Sequence, residues 1–145
     1  GGNALGFVIA SQVNARLLEN RSLTWLLHHA IWLPAIAGLV LVLAGFEGWL
    51  GLPLIMAGFF AYVASLGFIG PNATAAALAT HGQQAGTASA LMGALQFGIA
   101  TVTGAMVGLL HDGTARPLML VMGICGVGAW LAYRWVVAPL RHAEH

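Results

Sequence analysis

Four acids, six histidines and a few amides are the side chains here that could move protons or hold a polar ligand. An acid in the middle of an apolar run would mark a proton or ion pathway. Glu19, Glu47, Asp112 and Glu144 all fall instead in turns or at ends of such runs. His28 and His29 are adjacent, and neighbours on a helix point about 100° apart. One cavity cannot take both rings equally. The pair reads as two interface histidines, one toward headgroups and one packed, with a protonatable pair as the alternative. His111 beside Asp112 reads as a capped turn, and His81 sits in a similar polar turn. The single Cys125 excludes an internal disulfide and a cysteine metal cluster, and reads as a small apolar filler. No catalytic residue, metal ligand or cofactor site is assigned.

Polar residues inside the apolar runs are the better candidates. Asn3, Ser11, Gln12 and Asn14 lie in the first run, Tyr62, Ser65 and Asn72 in the third, and Gln96, Thr101 and Thr103 in the fourth. A glutamine in the middle of a membrane helix must be satisfied by a neighbour or by a wet cavity. Gln96 is so placed, and the two readings are balanced. Ser and Thr can bond back to their own helix, so they signal less. Asn72 follows Pro71, which frees a carbonyl one turn earlier. Its side chain either bonds to that carbonyl or faces a substrate path.

The elements that position these residues are membrane helices. The chain is 59% hydrophobic and 6% charged, with a mean hydropathy of +0.87. Soluble domains carry roughly 25% charged residues. There is no lysine, and the five positive charges are Arg16, Arg21, Arg116, Arg134 and Arg141. A net charge of +1 without a basic patch argues against nucleic acid. The first residue is Gly1, and the apolar run Ala4 to Ala10 has no basic segment before it. That is unlike a signal peptide, and the expectation is a piece of a longer protein opening mid-helix.

A spanning helix needs about 20 apolar residues. The expected helices cover residues 2–17, 23–45, 52–80, 86–110 and 117–138. Ser22 or Thr24 can cap the second, Pro117 suits the first turn of the fifth, and Pro71 kinks the third. Alternating loops put Arg16, Arg21, Arg134 and Arg141 on one side and Arg116 on the other, so the first side is cytoplasmic. Trp25, Trp49 and Trp135 near helix ends fit an aromatic belt. Gly86, Gly93, Gly98, Gly104 and Gly108 in the fourth helix, and Gly123, Gly126 and Gly128 in the fifth, imply close packing against protein.

Residues Gly67 to Ala79 (GFIGPNATAAALA) and Ala85 to Gln96 (AGTASALMGALQ) resemble the tenth-to-eleventh helix region of Bcr/CflA-type drug efflux carriers of the major facilitator superfamily. Ser11 to Leu18 (SQVNARLL) looks like that family's exit from helix eight into a cytoplasmic loop. The resemblance covers essentially the whole chain. It implies an all-α integral membrane protein whose five transmembrane helices correspond to helices 8–12 of a twelve-helix carrier. The chain would then be the truncated C-terminal half, with the N-terminal half as its missing partner. It also implies proton-driven export of small amphipathic drugs across a bacterial inner membrane, with the C-terminus cytoplasmic. Asn14 stands where the superfamily's loop motif carries an acid. The implied cavity residues are Asn3, Gln12, Met92, Gln96 and Phe97, and the implied hinge is Gly70, Pro71 and Asn72. The competing readings are a metabolite uptake carrier and a membrane module that packs without transporting.

Overall fold

The computed structural model describes residues 1–47, 51–79 and 82–139, without the side chain of Glu47. Trp49, Thr80, His81, Arg141 and Glu144 lie outside the described residues, so the turn and belt roles expected of them are not placed. The fold is all-α. Among the described residues, four segments are long and apolar enough to cross a membrane: Leu23–Phe46, Leu52–Leu78, Gly82–Leu109 and Arg116–Val137. The first helix, α1 (Gly2–Leu18), has 17 residues.

The second span is two helices, α2 (Leu23–Ala30) and α3 (Trp32–Glu47), which meet at Ile31. The expected helix over 23–45 is one span whose hydrogen-bond ladder is interrupted at Ile31, a residue that keeps helical angles (φ −64°, ψ −20°). The cause is Pro34, which has no N–H to give the carbonyl of Ala30. Ser22 is the cap of α2, its Oγ accepting from the Trp25 N–H at 3.2 Å. α4 (Gly51–Leu78) stays helical through Pro71. A 3-10 turn at Gly82–Gln84 leads into α5 (Ala85–Leu109). α6 (Arg116–Ala132) has Pro117 in its first turn and runs on into a π turn, Tyr133–Val137.

Two seams hold the bundle. α1 and α4 run parallel: Gly6 faces Phe60, Ser11 faces Gly67 and Asn14 faces Asn72. α3 and α6 run antiparallel, with Pro34 against Gly126, Gly38 against Gly123 and Gly45 against Met119. A Cβ on Gly38 would come 3.0 Å from the Gly123 Cα, so these backbones nearly touch. In lipid no hydrophobic force draws helices together, and such close packing replaces it. Leu41 of α3, 0% exposed, presses on Gly58 and ties the second seam to α4.

α5 departs from expectation. None of its residues is buried, and a Cβ at Gly86, Gly93, Gly98, Gly104 or Gly108 would meet nothing within 4 Å. Gly123 and Gly126 of α6 are packed as expected, whereas Gly128 is open. Cys125 is likewise exposed on α6, not a core filler.

Candidate functional site

The α1–α4 seam carries two of the three buried polar residues among the described residues, Asn14 and Asn72. Pro71 cannot bond the carbonyl four residues back, which belongs to Gly67. Ser11 supplies the missing donor from the other helix, its Oγ lying 3.4 Å from the Gly67 oxygen. It can reach because Gly67 has no side chain. A Cβ there would stand 2.7 Å from the Phe7 carbonyl and 3.2 Å from the Ser11 nitrogen.

One turn further on, Asn14 and Asn72 close on each other. The Asn72 amide donates to Asn14 Oδ1 at 2.7 Å, and the Asn14 amide donates to Asn72 Oδ1 at 3.2 Å. They are 2% and 1% exposed. Asn72 thus does not bond the freed carbonyl, which Ser11 reaches instead; its amide partner is Asn14. Sequence reasoning picked out both asparagines singly and missed the pair. Its available signal was that Asn14, Ser11 and Ala10 share one side of α1.

The other candidates separate. Asn3 is half-buried on the α1 face of Gly6, Ala10 and Asn14, one turn beyond the seam. Gln12 is exposed on the opposite face. Met92 and Gln96 are one turn apart on α5 and share a face, Met92 half-covered and Gln96 exposed. Phe97 turns about 100° away and is 78% exposed. The half-covered residues Ala85, Ala88 and Met92 lie on that α5 face below Gln96, and Thr103 and Val107 lie on it above. The mid-section between them, with Gln96 and Ile99, is open. Thr101 and Thr103 bond back to Phe97 and Ile99 of their own helix, at 2.8 and 2.9 Å.

The histidines also part. His29 Nδ1 turns back to the Trp25 carbonyl at 2.8 Å, and its ring stacks on Trp25 at 4.1 Å. His28 points instead toward Tyr133, 6.0 Å between centroids. At the opposite end the Arg116 Nε donates to the Gly45 carbonyl at 3.2 Å, near the end of α3. Beside it Asp112 Oδ1 accepts from the Thr114 N–H at 2.9 Å and from its hydroxyl at 2.6 Å. These bonds favour the ionised form, and Arg116 adds a smaller attraction, so the Asp112 pKa lies below the usual carboxylate value. Among the described residues no group of three His, Cys, Asp or Glu side chains could hold a metal.

Comparison with known proteins supports the family resemblance. The chain is 29% identical over 136 residues, 94% of its length, to a bicyclomycin resistance protein homolog of Haemophilus influenzae. It spans about a third of that protein's length, 34%. No protein-family model matches the chain. No solved structure matches it either.

Proposed function

We propose that this chain is part of a proton-coupled carrier that exports small amphipathic drugs across the bacterial inner membrane by alternating access. It is not an enzyme. The rest of the carrier supplies the helices that cover α5. The carrying observation is α5 itself, an apolar spanning helix with no buried residue and with Gln96 open at its middle. A helix so placed suits the wall of a central cavity, where two helical halves rock about a midplane site. Similarity to a protein named for bicyclomycin resistance supports a drug as the substrate.

On this reading Gln12 and Gln96 offer polar contacts to the drug, and Met92 and Phe97 offer apolar ones that re-pack around varied ligands. Asn3 extends the α1–α4 seam toward the cavity. Gly70 and Pro71 let α4 flex, while Asn72 keeps α4 fastened to α1 as both move. Protons are the coupling ion. Because the four acids sit in turns or at ends, the coupling acid belongs to the remainder of the carrier. Arg16, Arg21 and Arg134 lie at one end of the bundle and Arg116 at the other, a bias that supports a cytoplasmic C-terminus.

The test is growth of a drug-sensitive bacterium expressing the full-length gene, with drug accumulation measured with and without a protonophore. Resistance, with low accumulation that the protonophore abolishes, is expected. Drug accumulation equal to that of cells lacking the gene would reject the export reading.

A further inference from the structure

A recess with the shape of an amphiphile runs along the α3–α6 interface, away from the residues assigned to the drug. Its polar part is a cavity of about 220 Å³ lined by His28, Trp32, Trp130, Tyr133 and Arg134. Two irregularities frame it: the helix break at Ile31 and the π turn Tyr133–Val137. π turns recur at functional sites. The Arg134 guanidinium lies 5.9 Å from the Trp130 ring, which meets Trp32 edge-on at 5.0 Å. Among the described residues no carboxylate lines the cavity.

An apolar groove of about 440 Å³ lies along the same two helices, walled by Leu39, Leu120, Ile124, Val127 and Leu131. Counting 100° per residue, Leu131 and Val127 fall on the side of α6 that carries Arg134, and Leu39 falls on the side of α3 that carries Trp32. From Leu120 to Leu131 the groove is about 16 Å long at 1.5 Å per residue. One leaflet of hydrocarbon is about 15 Å deep. The groove is therefore one acyl chain long, and its Leu131 end lies about one helical turn from Arg134.

We propose that this recess binds an anionic phospholipid from the leaflet at the arginine-rich end. The Arg134 fork takes the phosphate, a geometry guanidinium matches. The His28 ring stands beside it as a second polar contact, the tryptophans sit at headgroup level, and one acyl chain fills the groove. Basic pockets between membrane helices bind anionic headgroups in this way. The inference does not depend on drug export, and its test does not measure transport.

Native mass spectrometry of the intact protein from mixed micelles tests it, with phosphatidylglycerol, phosphatidylcholine and glycerol phosphate as probes. Phosphatidylglycerol should be retained about fivefold over phosphatidylcholine, the size of one arginine contact at a membrane surface. Arg134→Gln should remove that preference, and Arg134→Lys should keep part of it. Arg116→Gln, at the other end, should leave it unchanged. Gly128→Leu, which fills the groove, should lower retention of both lipids. Circular dichroism on each variant separates lost binding from lost fold. Equal retention of the two lipids by the unsubstituted protein, or a preference that survives Arg134→Gln, overturns the proposal. So does glycerol phosphate binding as tightly as the whole lipid, which would leave the groove without a role.

Discussion

A buried asparagine is stable in a membrane bundle only if its amide finds a partner, and Asn14 and Asn72 find each other. Removing one leaves the other dry and half-satisfied. Asn14→Ala or Asn72→Ala should each cost about 1–2 kcal/mol. The double variant should cost clearly less than the sum, and a double-mutant cycle on unfolding in mixed micelles measures this. Strict additivity would mean that the pair contributes nothing as a pair. Asp112 gives a second prediction, in the exposed turn before α6. Its folded pKa is lowered, so what it adds to the turn is present above the ordinary carboxylate pKa and is lost as pH falls through the lowered value. Hydrogen exchange at the Thr114 amide, corrected for intrinsic rates, should therefore be protected at neutral pH and lose protection in acid. Asp112→Asn should flatten that dependence. His111–Asp112 was legible as a structured turn because both bonds are local. The asparagine pair was not, since it joins residues 58 apart and no residue pattern sets the register between two helices.

Between elements, one proline determines much of the α1–α4 contact. Pro71 frees the Gly67 carbonyl, Ser11 occupies it, and the bare Gly67 admits the neighbouring backbone. Gly67→Val should destabilise the seam by about 1–3 kcal/mol or more, because the obstructing atoms at Phe7 and Ser11 are backbone and cannot rotate away. Gly104→Val should cost far less in this chain, since nothing lies within 4 Å of that position. Thermal unfolding of the two variants in the same detergent compares them directly. Equal losses would show that the seam does not depend on close approach. Spans, ends and the Ser22 cap could be read from hydropathy and capping residues because those signals are short-range. The break at Ile31 was also present in the sequence, as Pro34 four residues after Ala30, but a long apolar run hides it. α5 misled for the opposite reason. Its glycines mark a face meant for close packing, yet composition does not say which helix covers it.

For the whole molecule, the two seams leave α5, among the described residues, as the one spanning helix without a buried residue, touching α4 and α6 only lightly. Lipid on all sides would leave Gln96 in hydrocarbon, where an amide lacks partners. On the proposed reading, a water-filled cavity shared with the remaining helices of the carrier removes that cost and gives the amide a ligand to bond. The two alternatives differ in what an apolar replacement does. In a lipid-facing position, Gln96→Leu should raise stability and leave resistance intact. In the cavity wall it should leave expression normal and raise drug susceptibility about five- to tenfold, the worth of one hydrogen bond to the drug. Gln96→Cys in a Cys125→Ala background adds a physical readout. A small water-soluble maleimide should label position 96 in the full-length protein, and saturating drug should slow the labelling. A position that reacts only with lipid-soluble reagents, at a rate the drug does not change, would place α5 against the bilayer and remove Gln96 from the transport path.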